Sequence, residues 1–271
     1  MAENSPAVAR PDTSFWLWLD RHIGRGSYYW LRDNLHPAQQ YPQLIYAQLI
    51  EDRISPTTRW LDAGGGHQVL EVTAPDRELE MVRRAKFAVC CDLDGDGLKR
   101  HRSIPNRVTA SLEALPFGAK KFDLITSNSV VEHLEHPETV LSEMARVLAP
   151  GGTAIVHTPN SRSYAVRIAG IGRKILPERL VVALIRYLDF REEEDTFPTY
   201  YRANSEQALT DTAAKAGLSC ERVLLLPARP LFYFFAPLCA LELIASRMLI
   251  RLGARGFAAS VIVGIYRKPI S

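Results

Sequence analysis

Between Arg59 and Asn160 short apolar runs alternate with stretches of helical period, and this alternation limits the folds open to the chain. "RWLDA" (59–63), "KFAVCCDL" (86–93), "NRVTASL" (106–112), "FDLITSN" (122–128) and "TAIVHTPN" (153–160) read as strands. The second is apolar throughout, as a parallel strand buried on both faces requires. Residues 71–85 read as a helix. "HPETVLSEMARVLAPGG" is a clearer one, with Pro137 in its first turn and Val140, Leu141, Met144, Val147 and Leu148 in one stripe. Pro150, Gly151 and Gly152 are expected to stop it. "NSEQALTDTAAKAGL" follows later, with Asn204 as N-cap, Gln207 completing a capping box and Gly217 just past its end. "SCERVLLLP" and "ASVIVGIYRKP" supply two more strands. The pattern predicts an α/β fold with a Rossmann-like, doubly wound, mostly parallel seven-stranded sheet.

Two segments exceed a minimal unit of this kind: about 161–197, after the fifth strand, and 228–257, between the sixth and seventh. Both are expected to be helical insertions into one domain spanning 41–271, which opens with an amphipathic helix within 41–55. Residues 1–40 read as an N-terminal arm or helical cap carrying "FWLWL", with 1–11 disordered.

The glycine turn after the first strand, "DAGGGH", decides between ligands. Gly64 and Gly66 begin a dinucleotide fingerprint, but Val69 stands where its third glycine belongs. A phosphate-binding Walker loop is absent as well. Asp62 argues the same way, because a carboxylate within ~5 Å of a pyrophosphate is repulsive by about a kcal/mol or more. A nicotinamide-dependent oxidoreductase is therefore disfavoured. Asp92 ends the next strand, where open α/β sheets bind ligands, and a carboxylate there can accept both hydroxyls of a ribose. An ammonium, a close backbone approach and a ribose together describe S-adenosylmethionine. "DLDGDG" also begins like a calcium loop, but its glycines fall out of register and the twelfth position lacks Glu.

These segments together resemble the class I S-adenosylmethionine-dependent methyltransferases. "LDAGGGH" looks like the first motif of that superfamily and "CCDLD" like the second; the long stretch from "VTASLEALPF" to "IVHTPN" is similar to its central region. The resemblance implies that Asp62, Ala63 and the Gly64–Gly65–Gly66 backbone hold the methionine end of the donor. It implies that Asp92 and Leu93 meet the ribose side, that Ser111 and Leu112 flank the adenine, and that Ser127 and Asn128 lie under the methionine. Ser111 departs from the Asp common in the family, which removes a contact to the adenine amino group. Gly65 stands where Cys is common, a change expected to be harmless. Asp123 is expected to be structural, and His136 to cap the next helix.

Methyl transfer is an in-line displacement, so positioning supplies most of the effect, and a base is needed only if the acceptor loses a proton. His157, then His133, are the candidate bases. Asn160, Tyr164, Tyr200, Tyr201 and Arg202 are candidate acceptor-pocket residues. "TSNSVV" lacks the segment that nucleobase amino-methyltransferases carry at that point, and the net charge of +3 gives no concentrated basic face. Nucleic acid is not an expected partner. The four cysteines lack metal-site spacing and read as buried reduced thiols, with no metal expected.

Leu231–Ile250 is the most apolar tract, but Pro237, Glu242 and Arg247 interrupt it, so it is not expected to cross a membrane; lying on one and forming an intramolecular helical lid or a dimer face are equal readings. With no secretory signal, the expectation is a cytoplasmic protein, at the inner face of the membrane if the apolar insertions touch lipid. "DTFPTYYRAN" and the "AGL" that follows look like bacterial methyltransferases of cell-surface glycan biosynthesis. The expected acceptor is an oxygen of a glycan intermediate, a lipid-linked sugar or a quinone-like ring. A catalytically inactive, methyltransferase-like scaffold docking on a membrane or partner is the alternative of another class. Oligomeric state is left open.

Overall fold

The computed structural model describes residues 26–70, 75–175 and 198–270. The "FWLWL" stretch, residues 1–11 and 176–197 of the first insertion lie outside them. The elements are α1 (Ser27–Leu35), α2 (Pro42–Glu51), β1 (Arg59–Ala63), α3 (Pro75–Arg84), β2 (Phe87–Asp92), α4 (Gly95–Lys99), β3 (Asn106–Thr109), β4 (Phe122–Asn128), α5 (Pro137–Val147) and β5 (Leu148–Pro159). After them come α6 (Tyr164–Ile175), α7 (Glu206–Lys215), β6 (Ser219–Leu226), α8 (Ala236–Arg251), α9 (Arg255–Ala258) and β7 (Val261–Arg267). One seven-stranded sheet runs in the order β3-β2-β1-β4-β5-β7-β6. Only β7 is antiparallel to its neighbours, β5 and β6. The strand order reverses between β1 and β4, which is where such sheets open a ligand crevice.

Alternation along β1 sorts the core. Leu61 and Ala63 join the cluster under α5 and α7, with Met144 and Leu209. Trp60 faces the other way, into the cluster with Tyr46, Ile50 and Met81 from α2 and α3. A third cluster, Tyr28, Leu31, Tyr233, Cys239 and Leu243, joins α1 to α8 and forms a cap. Where the inner strands β1 and β4 begin, Arg59 grips Asp123 with Nε and Nη2, at 2.8 and 2.7 Å, and its amide adds a third bond. That fork holds Asp123 below the usual carboxylate range and pins the starts of β1 and β4 together, the structural role expected of it.

Several local expectations are corrected. Pro150-Gly151-Gly152 does not lie between helix and strand. The helix ends at Val147 and β5 already begins at Leu148, because Gly151 N and Gly152 O pair with Lys268. β3 stops at Thr109, and Ser111 instead caps a short 3-10 turn by accepting from Glu113 N. His136 occupies the N-cap position of α5 without a side-chain bond. Cys220 is exposed, unlike Cys90, Cys91 and Cys239.

The N-cap of α7 is Ser205, whose hydroxyl accepts from Ala208 N at 3.2 Å. Asn204 turns inward and donates to Thr158 Oγ1 at 2.6 Å, and Thr158 donates to Glu132 Oε2 at 2.8 Å. A buried network outcompetes the cap because an unpaired polar group costs more inside than at a helix end. Ser205→Ala should therefore lower unfolding free energy by ~1 kcal/mol. Asn204→Ala should lower it by ~2 kcal/mol or more, both read by urea titration.

Candidate functional site

The crevice is built around the turn that follows β1. Gly64 (φ +77°) and Gly66 (φ +50°) hold left-handed conformations that favour glycine. A Cβ on Gly64 would lie 2.4 Å from Val130 Cγ2. One on Gly65 would lie 2.0 Å from Asp62 Oδ2 and 2.7 Å from Cys90 Sγ. β1 and β2 fill the space beneath Gly65, so glycine is the residue that this turn accommodates.

Asp62 is 1% exposed and lies under this turn. Its Oδ1 accepts from Thr126 Oγ1 at 2.6 Å, and Thr126 in turn accepts from Trp60 Nε1 at 2.8 Å. Oδ2 is buried without a hydrogen-bond partner. Burial pushes the carboxyl up to about 8, against the Thr126 bond, with the charges of Glu78 and Asp92 adding to the rise. The argument that Asp62 repels phosphate as a bare charge is corrected accordingly: near neutrality this group keeps its proton until a cation approaches.

The ligating atoms of Asp62, Cys90 and His101 lie within 4.8 Å of one another. The donor set is nevertheless wrong for a metal. His101 Nδ1 accepts from the amides of Ser103 and Ile104, which puts the imidazole proton on Nε2. A metal-bound histidine donates from its other nitrogen, and here that nitrogen accepts. Burial also raises the Cys90 thiol far from its thiolate.

Asp92 ends β2 with both oxygens oriented by backbone, Oδ2 by Gly66 N at 2.9 Å and Oδ1 by Asp94 N at 2.8 Å. Each oxygen retains a second lone pair. Leu93, next in the chain, is 73% exposed and presents an apolar face beside the acid. Leu112 packs into the core, so its backbone is what it can offer a ligand. Ser127 Oγ is buried and unpartnered. Asn128 donates to Val69 O at 3.1 Å and exchanges hydrogen bonds with Gln43 of α2. Gln43, Thr126 and His101 escaped the sequence reading. Only the parallel register Asp62↔Thr126 brings Thr126 in, and no local motif marks it.

The candidate acceptor residues divide. Asn160 is 1% exposed and donates to the carbonyls of Gly256 and Ala259, clamping the end of β5 to α9. It also borders a cavity of about 340 Å³ beside α7 and β6, at the sheet edge remote from the glycine turn. Tyr164 donates to Glu242 Oε1 at 2.6 Å and ties α6 to α8. Both act as structural ties, and Tyr164 too lines a cavity, a small one against α8. Tyr200 and Tyr201 bond through their amides to Glu132 O, and Arg202 lies over the Tyr200 ring at 5.7 Å. That segment is thereby held against the loop leaving β4.

The two histidines differ. His157 is buried against Tyr46, with ring centroids 5.4 Å apart, both ring nitrogens lack partners, and burial lowers it to about 4. His133 is half-buried, and its Nδ1 bonds to Pro198 O at 2.8 Å. A carbonyl only accepts, so the proton sits on Nδ1 and Nε2 is the basic nitrogen.

Because Asp62 is raised from 3.8 to about 8 on folding, the folded chain holds a proton that the unfolded chain releases across that interval. The associated stability is complete below the lower value and is lost as pH rises through about 8. Asp62→Asn should remove this fall: urea titrations at about pH 5 and about pH 9 should differ less for the variant than for the wild type.

Known proteins agree with this geometry. Residues 57–156 match the family described as "Methyltransferase domain". The ubiquinone biosynthesis O-methyltransferase of Xanthomonas axonopodis pv. citri (strain 306) is 24% identical over 197 residues, covering 69% of this chain and 79% of that protein. The demethylmenaquinone methyltransferase of Mycobacterium sp. (strain KMS) is 30% identical over 124 residues, covering 43% and 54%. Among solved structures, a provisionally named methyltransferase of Bacillus halodurans C-125 superposes with a TM-score of 0.52 at 16% identity, over 83% of this chain and 98% of that one. The likeness shows a shared fold. Domain match, relatives and sheet topology converge: the chain is a class I S-adenosylmethionine-dependent methyltransferase.

Proposed function

We propose that the chain methylates an oxygen of a quinone-like ring carrying an isoprenoid tail, and that the crevice between β1 and β4 holds the donor. The observation that carries the donor half is the Asp92 carboxylate, fixed by Gly66 N and Asp94 N beside an exposed Leu93. It suits a ribose diol with an aromatic base lying on the leucine. The unpaired Asp62 Oδ2 under the turn suits an ammonium brought close to it. Ser111 and the Leu112 backbone border the base, and Ala63, Gly64, Ser127 and Asn128 line the methionine end. When bound, S-adenosylmethionine supplies an electrophilic methyl group on a sulfonium.

What the protein adds is alignment and proton removal. A phenolic acceptor is a far better nucleophile once its proton is gone. His133 Nε2 is the better-placed acceptor of that proton, since burial leaves His157 a weak base. Tyr200, Tyr201 and Arg202, held against Glu132, border the acceptor side. The ring class is supported by the relatives, which are named for ubiquinone and menaquinone rather than for a glycan. Such an acceptor is met at the inner face of a membrane.

The test supplies the purified protein with S-adenosylmethionine and a prenylated catechol or quinol. S-adenosylhomocysteine and a product heavier by one CH2 unit are expected. Turnover with a glycan or lipid-linked sugar, and none with the quinol, would sink the acceptor reading. Asp92→Ala should weaken donor binding ~30-fold by calorimetry with little change in melting temperature, the loss of about 2 kcal/mol of charged hydrogen bonding. His133→Ala should lower kcat ~100-fold and abolish the acidic limb of the pH profile, whereas His157→Gln should keep that limb.

A further inference from the structure

We infer that the outer face of α8 is a docking surface for an anionic lipid bilayer. One side of this helix packs inward through Cys239, Leu243 and Ser246, against Tyr28 and Leu31 of the cap. A helix with a single buried face normally turns polar residues to water. Here the exposed positions are Pro237, Leu238, Leu241, Ile244, Ala245 and Met248, with Arg251 at the C-terminal end. Leu241 is 64% exposed, and Leu252, continuing the same arc, is 77% exposed. Isolated exposed leucines need no explanation, but a continuous apolar arc marks an interaction surface. On the same cap, α1 exposes Tyr29 and Trp30, residue types that favour a membrane–water boundary.

Charge selects the occupant. The single acid of α8, Glu242, is turned away, accepting from Tyr164 Oη and from the amides of Leu231 and Phe232. Asp33 of α1 is paired with Arg32. Exposed Arg251 ends the arc and exposed Arg255 follows in α9, while Arg247 turns to α1 and donates to Leu35 O. Anionic headgroups complement these arginines. A second copy of the chain would bring the same arginines together across a two-fold axis without an acid between them.

Position supports the same occupant. β5 and β6 are both antiparallel to β7, so β6 finishes at the same end of the strands as the glycine turn, though at the outer strand of the sheet, and α8 continues from there. A membrane against α8 would lie toward the strand ends that carry the crevice. The surface deepens the acceptor reading given above but is tested without it.

The experiment is co-sedimentation of the full chain with vesicles of phosphatidylcholine alone or mixed with phosphatidylglycerol. The mixed vesicles should pellet the protein, less so at raised salt. Leu241→Glu with Met248→Glu should weaken vesicle binding about tenfold or more while leaving S-adenosylmethionine affinity and melting temperature unchanged. Absence of binding to the mixed vesicles, or equal binding by the variant, would overturn the inference. So would a wild-type dimer that the two glutamates convert to monomer without altering vesicle binding. Intact vesicle binding with no transfer to any prenylated ring would instead remove only the acceptor reading.

Discussion

A hydrogen bond from Thr126 to a buried carboxyl organises the donor half of the molecule. Through it β4 holds Asp62, Asp62 fills the space beneath Gly65, and the turn has one shape it can take. Trp60, from the same strand as Asp62, locks the threonine from the other side. The turn then presents Gly66 N to Asp92 and so sets the second acid as well. Two carboxyl groups on adjacent strands thus receive opposite environments. One is desolvated and raised, the other is held by two amides at the crevice. The pairing follows from parallel register, which aligns Asp62 with Thr126 and Cys90.

The sheet was legible because its strands are short, apolar and separated by turn residues. β1 and β4 fall where the pattern places them, and the glycine turn and Asp92 announce themselves locally. Errors arose where a tertiary partner outbid a local preference. Asn204 looks like a cap, but Thr158 and Pro159 claim its amide. Pro150 to Gly152 look like a break, but Lys268 pairs with them in the sheet. No sequence pattern reports that Asp62 and Cys90 rise beneath Gly65 and leave room for glycine there. For the histidines, sequence and structure weigh different features. Position at a strand end suggests His157, while exposure and a carbonyl partner, visible only in three dimensions, favour His133.

Donor and acceptor sides are built on different principles. The donor side rests on backbone amides, bare glycines and acids at strand ends, all set by the sheet. The cap is assembled from segments added to the sheet, and among the described residues its ties include Tyr164 to Glu242, Arg247 to Leu35 O, and Gln39 to Ala228 O. Such a cap can differ in size and polarity while the strands below it keep their register.

The clamp at Asn160 gives that separation a physical hinge point. One side-chain amide, placed where β5 ends, holds the carbonyls of Gly256 and Ala259, just before β7 begins. The chain between β6 and β7 therefore leaves and rejoins the sheet at anchored points, and the path between them is free to be rewritten. Evolution can exchange that helical excursion for another without disturbing the alignment of β7 between β5 and β6.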